Sequence, residues 1–176
     1  MRHALPLLLA LACTAGLIVI RVDQEASTVV EGSGVIGGLL TTLELGGLDD
    51  LSLSVEQELA NQGVEPGDIT EARLVELTLS TPDGEDLSFL TSVSFTISSP
   101  DLETVRIAHA DELPPGQASV TLTLDDVDLT PYLVADSMSI GTDAEGQLPE
   151  DDTTIDAFIA LDVTATAQGA CNAANR

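Results

Sequence analysis

Between residues 155 and 165 every second residue is apolar: Ile155, Ala157, Ile159, Leu161, Val163 and Ala165. Successive side chains on a β-strand point to opposite faces, so this run predicts one long strand with a single apolar face. That face needs a second layer to cover it. The same period returns in shorter runs: Val75, Leu77 and Leu79; Val93, Phe95 and Ile97; Val105 and Ile107; Val120, Leu122 and Leu124; Met138 and Ile140. Near the other terminus Val22, Gln24, Ala26, Thr28 and Val30 alternate with Asp23, Glu25 and Ser27. Turn signals separate the runs at Gly32-Ser33-Gly34, Pro82-Asp83-Gly84, Pro100 and Pro114-Pro115-Gly116. Strands with one wet face belong to antiparallel sheets, since parallel α/β sheets are buried on both sides. The chain therefore reads as mainly β, an antiparallel β-sandwich, immunoglobulin-like or of another Greek-key type.

Composition agrees with two packed sheets. Hydrophobic residues make up 44% of the 176, but aromatics only 2%, so Val, Leu, Ile and Ala must fill the core. Such a chain has room for one domain. One or two short helices are expected in residues 35–63. In residues 35–48, Ile36, Leu39, Leu40 and Leu43 fall at helical spacing. Further on, Ser54 and Gln57 form a capping-box pattern, and Val55 and Leu59 stack one turn apart. Gly63 fits the left-handed position after that helix, with Val64 as its apolar contact. Glu65-Pro66-Gly67-Asp68 reads as a turn.

The N-terminus reads as an export signal. Met1-Arg2-His3 is a short basic start, Leu5 to Leu11 an apolar stretch, and Ala10-Leu11-Ala12 a small-x-small cleavage pattern. Leu11-Ala12-Cys13 resembles the end of the lipobox of bacterial lipoproteins, with Ala10 standing where Leu is usual. The resemblance implies cleavage after Ala12 and a lipid on Cys13. Residues 1–12 are then the signal, 13–21 a tether or lead-in to the first strand, 22–168 the sandwich, and 169–176 a tail. The alternatives are plain secretion and a retained anchor running from Ala4 to Ile20. Cys171 has an intramolecular disulfide partner only if Cys13 escapes lipidation.

The formal net charge is −25, from 30 acidic residues against five Arg and no Lys. Nucleic acid is excluded as a partner, because phosphate binding needs clustered basic side chains. An anionic membrane surface repels such a domain as well. Crowded carboxylates should also carry raised pKa values, so that mild acid stabilises the fold.

Little in the chain suggests catalysis. His109 is the one histidine beyond the signal and is expected to end a strand on the surface. The chain has no Gly-x-Ser-x-Gly, no P-loop, no His-x-x-x-His and no C-x-x-C. Acidic clusters are the one suggestive pattern. Asp143-Ala144-Glu145-Gly146 looks like the start of a calcium loop, and Asp151 and Asp152 follow nearby. These four carboxylates are the candidate Ca²⁺ ligands, against a reading as solvated loops.

With its lipobox-like start, the segment Val55 to Val64 and Asp86-Leu87-Ser88-Phe89-Leu90 before a strand, the chain resembles small exported lipoproteins of myxobacteria. The resemblance implies no activity and no site residue. The functional expectation is a lipid-anchored envelope protein, held at the outer membrane, with a structural or partner-binding role and no cofactor. A calcium-dependent binding or adhesion module is the alternative function. Secretion or inner-membrane anchoring is the alternative location.

Overall fold

The longest alternating run becomes the central strand of one sheet. In the computed structural model, which describes residues 16–34, 41–43, 45, 48, 57–82 and 84–166, β9 (Thr153–Thr166) lies between β1 (Leu17–Val30) and β3 (Ile69–Ser80). The alternating residues Ile155, Ala157, Ile159, Leu161, Val163 and Ala165 of β9 are buried. Its sheet has the order β1-β9-β3-β6, with β6 at Ser119–Thr121. The facing sheet has the order β2-β8-β4-β5-β7. Those strands are β2 (Thr41–Leu43), β4 (Leu90–Ser99), β5 (Leu102–Ala110), β7 (Thr123–Leu124) and β8 (Ser139–Gly146). All pairings are antiparallel, and one aliphatic core lies between the sheets around Phe95, Leu77, Leu79, Ile107 and Ile159.

The topology is a jelly roll. β6 and β7 are two halves of one bent strand, joined by the buried Leu122. The Leu122 N–H still bonds to Leu77 O in the first sheet (2.8 Å), while Thr123 already pairs with His109 in the second. Taking the halves together, the strands nest as β1–β9, β2–β8, β3–β6 and β4–β5. This is a long antiparallel ribbon, rolled so that β9 also meets β3 and β8 meets β4. Of the two expected topologies, the immunoglobulin-like one is excluded. There the first two strands share a sheet, whereas β1 and β2 lie in opposite sheets.

Three departures from the sequence reading have clear causes. The first strand begins at Leu17, not Val22, because it pairs with β9 over fourteen consecutive positions without a bulge. Residues 17–20 are therefore strand, inside the stretch read as a tether or lead-in to the first strand. Among the described residues no helix is long and apolar enough to cross a membrane. Second, the expected strand over Val120–Leu124 is split between the sheets. Third, Val75 is the extra residue of a β-bulge, since Leu74 pairs with Leu161 and Glu76 with Ala160. The bulge shifts the face by one residue, so Ala72 and Leu77 are both buried although five positions apart.

The helix before β3 survives as α1, residues 57–61. It ends as the sequence suggests. Gly63 has φ +73°, its N–H bonds to Ala60 O (3.0 Å), and the Val64 N–H bonds to Leu59 O (3.0 Å). Those two bonds make a Schellman motif, with Leu59 and Val64 buried. Ser54, Val55 and the helical spacing at Ile36, Leu39 and Leu40 lie outside the described residues, as do Cys13, residues 1–12 and the 169–176 tail. A further turn of helix, α2 (Thr130–Leu133), has no helical period in the sequence. It is held against β3 by Thr130 Oγ1, which accepts the Ala72 N–H (2.9 Å), and by the Leu129 N–H on Ala72 O (3.0 Å).

Candidate functional site

His109 sits next to the end of β5, as expected, but it is mostly covered, with its side chain 18% exposed. The turn out of β7 brings Asp125 beside it, held by the Asp125 N–H on Ile107 O (2.9 Å). Arg106 Nε donates to Asp125 Oδ2 (2.9 Å) and Nη2 to Oδ1 (3.4 Å), while His109 Nδ1 lies 3.2 Å from Oδ2. The Arg106 hydrogen bond is the main cause that holds the Asp125 carboxyl below the usual range, and it raises the Arg106 guanidinium in turn. Ser94 of β4 stands opposite His109 in register. Nucleophilic catalysis needs hydroxyl and base within hydrogen-bond reach, and no hydrogen bond joins Ser94 to His109 among the described residues. The group is a three-residue lock that ties β5 to the strand bend. Its partner Asp125 is far from His109 in sequence, so no local motif signals it.

The candidate calcium ligands do not converge. Asp143 and Glu145 lie within β8, paired with Ser94 and Ser92, so this segment is strand and not a loop. The expected calcium-loop glycine, Gly146, ends the strand where the backbone of β4 approaches closely. Asp151 and Asp152 lie beyond β8, at one end of the sandwich. Asp152 Oδ1 accepts the Gly32 N–H (2.8 Å), which closes the turn after β1. Asp151 lines an open cleft of about 520 Å³ with Glu85, Asp86, Glu150, Thr153 and Phe89. Two of these carboxylates are occupied internally. Glu85 Oε2 accepts from Thr153 Oγ1 (3.2 Å), and Asp86 Oδ1 accepts the Ser88 N–H (2.9 Å). Bonding to Ser88 pushes the Asp86 carboxyl down, as bonding to Thr130 does for Asp128. Both shifts run opposite to the expected rise. Among the described residues no three His, Cys, Asp or Glu side chains come together to hold a metal.

The other end of the sandwich carries a mainly apolar cleft. Leu59, Ala60, Val64, Pro66, Ile69, Leu133, Val134, Ala135 and Asp136 line a cleft of about 430 Å³ there. The Schellman end of α1, the Pro66–Asp68 turn and the end of α2 form its walls. Ile69 shares a row with Ala165 and Ile18, so the cleft lies at the end of the sheet where β1 begins. Periodicity did not point to this cleft, because its walls are three separate chain reversals.

These features define an acidic jelly-roll domain with an acidic cleft at one end, an apolar cleft at the other and an ion-pair lock on one sheet. No family model matches the chain, and no curated protein is significantly similar to it. Among solved structures the chain is similar to one described as the crystal structure of decameric BFDV capsid protein. The identity is 8% and the TM-score 0.38, over 85% of this chain and 99% of that one.

Proposed function

We propose that this protein is an exported bacterial envelope component, lipid-anchored through Cys13, whose jelly-roll domain has a structural or partner-binding role and carries out no catalysis. One observation supports the anchor most directly. Cys13 precedes Leu17 by four residues, and from Leu17 onward the chain is locked into a sheet over the whole fourteen-residue length of β1. A domain held through that strand transmits load along a continuous ladder of hydrogen bonds. The engagement of His109 by Asp125, and the internal use of Asp86 and Asp152, support the non-catalytic part. A jelly roll by itself decides nothing here, since the architecture hosts many functions.

Mass spectrometry of protein extracted from membranes tests the reading. The expected result is an N-terminal Cys13 carrying a diacylglyceryl or triacyl adduct. An N-terminus mapped elsewhere, or retention of Met1 to Ala12, overturns it.

A further inference from the structure

β1 runs between two ends that both carry carboxylates, but only the end where it begins adds an apolar cleft and exposed aliphatic side chains. Leu17 and Val19, at its start, are 67% and 68% exposed, and both lie on the outer face of the sheet. Two inter-strand spacings from Ile18, about 10 Å away, Ile69 opens onto the apolar cleft, whose rim residue Val134 is also 41% exposed. At the far end of β1, Gly32 meets Asp152, beside the cleft lined by Glu85, Asp86, Glu150 and Asp151. Val29 and Leu148 are exposed toward that end too, and Leu148 lines the cleft with its carboxylates. Fourteen residues of strand separate the two ends by about 45 Å.

The chain from Leu17 back to Cys13 spans four residue steps, at most about 14 Å when extended. We propose that the end formed by Leu17, Val19 and the Leu59–Val134 cleft is a membrane-contact surface that rests on the headgroup–acyl boundary of a neutral lipid leaflet. The proposal deepens the lipid-anchor reading and rests on it for the tether length. A tether this short holds this end against the leaflet, where partial immersion removes the exposed surface of Leu17, Val19 and Val134 from water. The same geometry points the acidic cleft away from the lipid. Glu65, Asp68 and Asp136, with Asp101 and Glu103 in the β4–β5 turn beside α2, flank the contact end, so a zwitterionic surface suits it and an anionic one does not.

The test uses the lipidated chain in a Cys171→Ser background, reconstituted into phosphatidylcholine vesicles that contain bromine-labelled acyl chains. A fluorophore is placed at Val134→Cys or, separately, at Gln147→Cys on the acidic end. Strong quenching at 134 and none at 147 is expected. Adding Leu17→Ser and Val19→Ser, both at exposed positions, should leave the melting temperature unchanged and reduce the quenching at 134 severalfold. Replacing half the lipid by phosphatidylglycerol should weaken it as well. Equal quenching at both positions, or none at 134 with lipid confirmed on Cys13 by mass, overturns the contact surface while the anchor stands. If Cys13 carries no lipid, the anchor reading fails, and the soluble domain is titrated with the same vesicles. Quenching at 134 then upholds the contact surface, and its absence overturns it.

Discussion

Gly146 passes so close to Phe89 that a Cβ on the glycine would stand 2.1 Å from the Phe89 carbonyl oxygen. The same oxygen accepts the Gln147 N–H at 2.8 Å, so it cannot move aside without losing a bond. Here β4 takes an extra residue, Thr91, between its pairings with Gly146 and Glu145. Gly146→Ala should therefore destabilise the fold by about 1–3 kcal/mol through overpacking. Urea unfolding measures it. Gly67→Ala, where nothing lies within 4 Å of the added Cβ, is the control.

Leu122 is the point at which one chain passes from sheet to sheet, and it is 4% exposed. Leu122→Ala should cost about 2–5 kcal/mol, the range for emptying a buried leucine site. Val120→Ala, at a half-buried position on β6, should cost clearly less. Equal losses in chemical denaturation would show that Leu122 does not fill the corner between the sheets.

Asp125 gathers Arg106 and His109 on one carboxylate. Asp125→Asn removes the acceptor charge but keeps the shape. Arg106 is 48% exposed, so solvent screens the pair and the expected loss is about 1 kcal/mol. A loss well above that in equilibrium unfolding would mark the lock as a main stabilising element.

Acid should weaken the fold through the carboxyls of Asp86, Asp125 and Asp128. Each binds its proton more weakly when folded, because Ser88, Arg106 and Thr130 respectively bond to the ionised form. The unfolded chain takes up protons first as pH falls. The stabilisation from these groups is complete above the ordinary carboxylate range, about 4, and is lost as pH drops through their lower folded values. Urea midpoints should fall over that window, less steeply in Asp125→Asn. A midpoint that rises on acidification would mean that relief of like-charge repulsion dominates.

Salt should act in the opposite sense. The chain carries a net charge of −25, and its described salt bridges lie at exposed or half-exposed positions. Ions screen the repulsion over about 8 Å at physiological strength, and the compact state crowds the charges more than the unfolded chain does. The melting temperature at neutral pH should rise with sodium chloride. A flat or falling curve would mean that the Arg21, Arg73 and Arg106 ion pairs outweigh the repulsion.

By itself the sequence determined the local structure. Alternation along β9 and β4 marked strands and inward faces, because a period of two admits one geometry, while the bulge at Val75 broke that period in β3. Gly63 and Val64 marked the end of α1, because a left-handed residue followed by an apolar one satisfies the last carbonyls. What joined these pieces was decided by tertiary structure. Nothing local tells β1 to pair with β9 more than a hundred residues later, since many apolar faces could cover one another. The bend at Leu122 reads as an ordinary strand, because its side chain faces the core in either sheet. Asp143 and Glu145 resembled a loop by composition, yet an outer strand face accepts carboxylates as readily as solvent does. The partnership of Arg106 and His109 with Asp125 exists only once the roll places β7 against β5. The apolar cleft likewise needs three chain reversals stacked at one end of the sheets, and packing alone brings Leu59, Ile69 and Val134 together.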